Sequence, residues 1–266
     1  VTDQTSDTVR LRGIDFAYTS IGEGPLVLSA HGLSTSRAGN VRMGFPGLEP
    51  IAAAGYRVVA YDARGHGESS GSDDPADYVW ARLADDMLAL ADRFSPENPI
   101  VGMGASMGTG TLLHAATRHP ERFGRLILTA PPTAWATRAA QADGYRAMAD
   151  LVEASGIDAF ASMFDAAPVP PVFVGVPGFP PLPDIRAELL PTVFRGAALA
   201  DLPPLETIAT LAQPALILAW SGDPGHPLST AEALEGALPD ARLHVSDTHD
   251  DLLTWSQRAA DFLGAA

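Results

Sequence analysis

The chain has 266 residues, 46% of them hydrophobic, with no cysteine and a formal net charge of −15. That composition can bury a full core in one large domain or two small ones, and the lack of cysteine excludes disulfides, thiolate nucleophiles, iron–sulfur clusters and thiolate zinc sites together. All 17 basic residues are arginine, which excludes lysine Schiff bases and lysine general bases, and the acidic balance disfavours nucleic acid and anionic membranes, because phosphate binding needs clustered positive charge.

In chain order, Val9 to Tyr18 reads as an antiparallel pair turning at Gly13. Short apolar runs then alternate with helical patterns: Pro25 to Ala30, a helix around Leu48 to Ala54, and Tyr56 to Tyr61, which predicts parallel strands with crossover helices. Val79, Leu83, Met87, Leu90, Ala91 and Phe94 recur at three and four, one face of a helix between Asp77 and Phe94. Pro99 to Met103 is a strand. A small-residue helix runs on to about Arg118, followed by a strand from Leu126 to Thr129.

From Thr133 to Leu205 the alternation stops. A helical start, Ala136 to Ser155, gives way to the proline-rich Ala167 to Pro183, which cannot be a central strand because each proline removes a backbone donor. Phe160, Met163, Phe164, Phe173 and Phe179 give this stretch more apolar surface than a solvated loop carries, so 133–205 is expected to be a cap inserted into a core made of 1–132 and 206–266. The alternation resumes with a strand from Ala215 to Ala219, a helix near Thr230 to Leu238, a strand from Arg242 to Val245 and a terminal helix through Leu253, Ala259, Phe262 and Leu263. The apolar runs Arg125–Pro131 and Pro214–Trp220 are strand-length, far short of the roughly 20 residues of a membrane span. With no basic-then-apolar pattern after Val1, the expectation is a cytoplasmic protein acting on a small molecule, without membrane or nucleic-acid partners.

Gly104-Ala105-Ser106-Met107-Gly108 follows the strand and opens a helix, the pattern of a nucleophile elbow, where a strained turn exposes the serine and glycines keep neighbours from colliding. A serine hydroxyl needs a base, and the base needs an acid to orient it. His31 and His66 lie in tight glycine turns and read as structural. His114 and His119 fall in and after the elbow helix, His226 is three residues from an acid on one loop, and His244 alternates within a strand. His249 remains: it follows the last strand at the carboxyl edge of the sheet, where ligands of open α/β sheets bind. Asp223, just after the preceding strand at the same edge, is the candidate acid, giving the order Ser106, Asp223, His249.

These features together resemble the α/β-hydrolase superfamily over essentially the whole chain. The resemblance is carried by His31-Gly32, the turn Asp62-x-Arg64-Gly65-x-Gly67-x-Ser69, the elbow at Ser106, the loop Asp223 to Pro227, and His249. It implies a mostly parallel sheet flanked by helices with an inserted cap, backbone N–H groups of Leu33 and Met107 as an oxyanion hole, and no metal or organic cofactor. Two departures from the family pattern matter, one around His249 and one before Asp223. Thr248 replaces the usual glycine, Asp250 and Asp251 follow the histidine and would stabilise its protonated form, and Trp220 replaces a glycine before the acid. The stretch Ala130 to Trp135, where some relatives carry the acid, offers none.

The expected activity is a serine hydrolase cleaving a small, mostly apolar carboxylic ester or lactone through an acyl-enzyme on Ser106. A serine at the elbow argues against haloalkane dehalogenase and epoxide hydrolase chemistry, which needs a carboxylate nucleophile. The alternatives are carbon–carbon bond hydrolysis, a cofactor-free oxygenase or perhydrolase on the same triad, or a ligand-binding member without catalysis.

Overall fold

A computed structural model describes residues 4–165, 169–176, 179 and 182–264. The side chain of Phe164 and six residues of the proline-rich stretch, Ala167, Pro168, Pro177, Gly178, Pro180 and Pro181, lie outside the described residues. The chain opens with a hairpin of β1 (Gln4–Leu11) and β2 (Ile14–Ile21), joined by Arg12-Gly13 with φ of 52° and 82°, the positive pair that two-residue hairpin loops demand. β3 (Leu26–Ala30), α1 (Arg37–Arg42), α2 (Glu49–Ala53) and β4 (Arg57–Tyr61) follow. A single 3-10 turn at Pro75–Tyr78 leads into α3 (Trp80–Phe94), then β5 (Ile100–Ala105), α4 (Met107–Arg118) and β6 (Phe123–Thr129). Next come α5 (Arg138–Asp165), α6 (Leu190–Ala198), α7 (Leu205–Ile208), β7 (Ala215–Trp220), α8 (Leu228–Ala237), β8 (Ala241–Ser246), α9 (His249–Leu252) and α10 (Trp255–Gly264).

The eight strands form one sheet in the order β1-β2-β4-β3-β5-β6-β7-β8, antiparallel across β1, β2 and β4 and parallel from β4 to β8. The chain turns back on itself at β3, with β4 on one side and β5 on the other, and such a reversal opens a crevice at the carboxyl ends of the strands. Strand alternation sends Leu28, Val59, Leu126, Leu128 and Ile217 to one face against α3, α4 and α8. Val27, Val58, Val101, Ile127 and Leu218 go to the other, against α2 and α10. Both faces are covered, which is why the central strands are apolar runs and not alternating ones.

Three helices lack a legible sequence signal, α1, α6 and the four-residue α7. α1 has six residues, too few to show a period, and is held by a Ser36 cap that accepts from the Gly39 N–H at 2.9 Å. α6 hides behind Pro191, which is tolerated in a first turn, although Leu190, Val193, Phe194 and Ala197 are spaced as one buried face. The terminal helix is two: α9 stops at Leu252 and Leu253, expected on its buried face, is 44% exposed. α5 runs past Ser155 to Asp165, broken at Gly156 with φ 77° and ψ 178°.

The segment between β6 and β7 has an apolar cluster of its own, in which Ala149, Val152, Phe160, Leu190, Val193 and Phe194 pack with Tyr78 of the core. It is tied down at both ends. Arg138 is buried with its guanidinium 4.3 Å over the Trp80 ring, and its Nε and Nη2 each donate at 2.6 Å, to the Ala200 and Ala197 carbonyls at the end of α6. At the return, Asp184 accepts from Arg42 at 2.7 Å and from the Ser36 hydroxyl, while its backbone N–H donates to the Ser34 carbonyl at 2.8 Å. Under the turn after β4, Arg64 donates from Nε and Nη2 at 2.9 Å to Asp86 of α3, and both residues are buried.

Candidate active site

Ser106 sits between β5 and α4 at φ 52° and ψ −108°, a left-handed conformation that strains a non-glycine residue and lifts its side chain out of the turn. Two glycines allow it. A Cβ on Gly104 would stand 2.2 Å from the Gly108 carbonyl oxygen, and one on Gly108 would stand 2.3 Å from that of Ala30. Both obstacles are backbone, so neither can move aside. Gly104→Ala is therefore expected to destabilise the fold by about 2 kcal/mol or more, read as a lowered urea midpoint at unchanged slope.

The hydroxyl of Ser106 lies 2.9 Å from Nε2 of His226, and Nδ1 of the same ring lies 2.8 Å from Oδ2 of Asp223. A carboxylate only accepts, so Nδ1 carries the ring proton and Nε2 is left to take the proton of the serine. Asp223 is further held by the Trp220 indole N–H at 2.9 Å and the Gly225 N–H at 2.8 Å. Burial alone would push its carboxyl up, but His226, Trp220 and Gly225 bring it down to about 2. A depressed carboxylate adds stability above its unfolded value near 3.9 and loses it as pH falls towards 2, so Asp223 stays ionised across the neutral range. The tryptophan that departs from the family pattern thus holds the Asp223 carboxylate in place through its indole N–H.

Of the three residues expected to act together, the structure joins Ser106 and Asp223 through a different histidine. His249 opens α9 as expected, but no hydrogen bond among the described residues links it to Ser106 or Asp223, and its buried Nδ1 has no partner. The His249 expectation is corrected by the packing around it. Phe173 has its ring centroid 6.5 Å from that of His249 and 5.2 Å from Trp220, which in turn is 5.0 Å from His226. Two aromatic rings thus link the two histidines through van der Waals contact and no polar group. Asp251 binds His244 at 2.7 Å and Arg258 at 2.9 Å, so it does not serve His249. The sequence did carry a signal for His226: Asp223-Pro-Gly-His226-Pro places acid and imidazole on one tight turn, with Gly225 N–H bonded back to the acid.

His31 and His66 are buried and structural. His31 Nε2 accepts from the Ala63 N–H at 2.8 Å and its Nδ1 faces the Gly32 carbonyl at 2.7 Å, a neutral ring bracing two loops. Burial, with His31 5.1 Å away, pushes His66 down to about 3. The unfolded chain therefore takes up this proton first, near pH 6.5, and the contribution of neutral His66 is full above that pH and shrinks as pH falls to 3. The expected loss is on the order of 5 kcal/mol. Urea titrations across that range should show a clearly flatter pH dependence for His66→Gln than for the wild type.

Ser106, Asp223 and His226 open into a cavity of about 410 Å3 with mostly apolar walls, including Met43, Phe45, Phe173, Phe179 and Trp220. Phe173 and Phe179, from the segment between β6 and β7, stack at 4.3 Å. Phe160 instead fills that segment's own cluster, and Met163 is 40% exposed.

An elbow serine in contact with an imidazole that is itself held by an acid, at the carboxyl edge of a mostly parallel sheet, defines a class. The chain belongs to the alpha/beta hydrolase fold family, whose profile matches residues 25–168. It is 29% identical to 3-oxoadipate enol-lactonase 1 of Acinetobacter baylyi, over 72% of this chain and 71% of that protein. It is 31% identical to a proline iminopeptidase of Pestalotiopsis fici over 46% of this chain, a match spanning less than half (43%) of that relative. Among solved structures, a hydrolase from Pseudomonas aeruginosa superposes with a TM-score of 0.80 at 25% identity, over 98% of both chains.

Proposed function

We propose that the protein is a serine hydrolase that cleaves small, mostly apolar carboxylic esters or lactones, with Ser106 as nucleophile, His226 as general base and Asp223 as the acid that orients it. The observation that carries this reading is the hydrogen-bonded line from Ser106 Oγ through His226 to Asp223, at 2.9 and 2.8 Å. As Oγ attacks the acyl carbon its proton passes to Nε2, and the imidazolium is stabilised by the half-buried Asp223 carboxylate. The tetrahedral intermediate collapses with the proton delivered to the departing alkoxide. Water then repeats the sequence on the acyl-enzyme, releasing the acid and restoring the serine.

Oxyanion stabilisation is assigned to the N–H groups of Met107 and Leu33. Met107 is the first residue of α4, and first-turn N–H groups have no acceptor within their helix. The turn carrying Leu33 lies against the nucleophile, since a Cβ on Gly32 would stand 3.4 Å from the Ser106 Cβ. Residues 133–205 serve as a cap, supplying Phe173 and Phe179 to the cavity wall. Similarity to an enol-lactonase supports ester or lactone cleavage. A match to an epoxide hydrolase of Caballeronia sordidicola, 32% identical over 46% of this chain, does not extend to its chemistry, because a serine stands where epoxide opening needs a carboxylate.

The test is a fluorophosphonate probe with a panel of chromogenic esters, lactones and thioesters. Wild type should label and turn over esters, and Ser106→Ala should do neither. Folded wild-type protein that does not label would sink the proposal.

A further inference from the structure

We propose that the cavity at Ser106 continues as a channel for a linear, uncharged acyl chain, laid across the sheet at right angles to its strands, with Ala60 and Ser29 setting the chain length accepted. This rests on the hydrolase reading. The floor of the cavity is a row in strict register: Thr19 pairs with Ala60, Ala60 with Ser29, and Ser29 with Met103. All four line the cavity. They stand on the face covered by α2 and α10, two residues along from the buried Ile21, Val58, Val27 and Val101 of the same strands.

Those deeper positions are branched and buried, and Ile21 and Val58 close the base of the cavity. One row nearer the carboxyl edge, the side chains shrink to threonine, alanine and serine, and the volume they leave is the channel. Ala60 and Ser29 keep part of their surface accessible although they sit on interior strands of an eight-stranded sheet. From Met103 on β5 to Thr19 on β2 is three strand spacings, about 14 Å at roughly 4.8 Å per strand, long and narrow enough for an extended chain. The roof is the segment after β3, where Met43, Phe45 and Leu48 face the row.

Charge decides the tail. Among the described residues Arg37 is the arginine lining the channel, and it is already engaged: its guanidinium pairs with Asp62 at 3.0 Å and Glu68 at 2.7 Å, and Nη1 donates to the Thr19 hydroxyl. A terminal carboxylate would meet a cation already matched by two carboxylates, which favours an uncharged end to the chain.

The experiment compares p-nitrophenyl acetate, butyrate, octanoate and decanoate. In wild type, kcat/KM should rise from acetate to octanoate. In Ala60→Leu, which fills the row, the octanoate-to-acetate ratio should fall about a hundredfold, the worth of a few buried methylenes. Ser29→Val should lower it less, and stands in if Ala60→Leu fails to fold by circular dichroism. A ratio unchanged in the folded variants, or a wild type that prefers acetate, overturns the channel while leaving the hydrolase reading intact. A wild type inert on every ester overturns the hydrolase reading instead. The channel is then judged by calorimetric binding of p-nitrophenyl decanoate to Ser106→Ala, which should be lost in Ser106→Ala/Ala60→Leu and, if retained, counts against it.

Discussion

Replacing His226 with alanine is expected to lower kcat/KM for a chromogenic ester by on the order of a thousandfold or more, close to the loss from Ser106→Ala, while His249→Ala stays within about tenfold of wild type. Without the imidazole, the Ser106 hydroxyl has no group to take its proton. The Asp223 carboxylate would keep two of its donors, Trp220 and Gly225, in place. The site would therefore keep its shape and lose its base, so the double variant Ser106→Ala/His226→Ala should be no slower than either single one. Asp223→Asn should cost about 10⁴-fold, because an amide facing Nδ1 selects the wrong tautomer. The measurement is steady-state hydrolysis together with fluorophosphonate labelling. The opposite ranking, His249→Ala inactive and His226→Ala active, would assign the base to His249.

Asp86→Ala is expected to be the most destabilising single change outside the elbow, at about 3–5 kcal/mol. It leaves the Arg64 guanidinium, 6% exposed, without the carboxylate that accepts its Nε and Nη2. Asp77, at 3.0 Å from Nη1, supplies only part of the compensation. Arg12, from the β1–β2 turn, loses the same partner at 3.1 Å, so the change also loosens the sheet edge. In a domain of this size the melting temperature should drop by roughly 10 °C or more. Replacing Arg64 and Asp86 together with apolar residues should recover much of the loss, since removing both charges spares the cost of burying one alone. Thermal unfolding of the single and double variants checks both statements.

Most of the sheet was legible because its evidence is local. Each parallel strand is an apolar run closed by a turn, and the elbow declares itself by glycines that no other residue could replace at Gly104 and Gly108. Asp223, proposed as the acid, stands out by its place after β7. His226, proposed as the base, does not, for a physical reason. His226 looked too near Asp223 along the chain to act with it, yet proximity is how the pair is built: the turn through Gly225 folds the ring back onto the carboxylate three residues earlier. The surroundings of His249 include Phe173, some 76 residues upstream in a proline-rich stretch whose path no periodicity describes. Likewise, the pairing of Thr19 with Ala60 and of Ala60 with Ser29 depends on strand order, which a single sequence does not spell out.

The pair proposed as acid and base, Asp223 and His226, is written in eight consecutive residues, Trp220 to Pro227, with the indole that steadies it at their start. Inserting or deleting one residue between Asp223 and His226 would remove both partners at once. Length changes between β8 and α10 would reach the pair only through Trp255, whose ring stacks on Trp220 at 5.6 Å. The pair is thus closed within one short loop, while the indole that steadies it takes its own position from Phe45, Phe173 and Trp255 elsewhere in the chain.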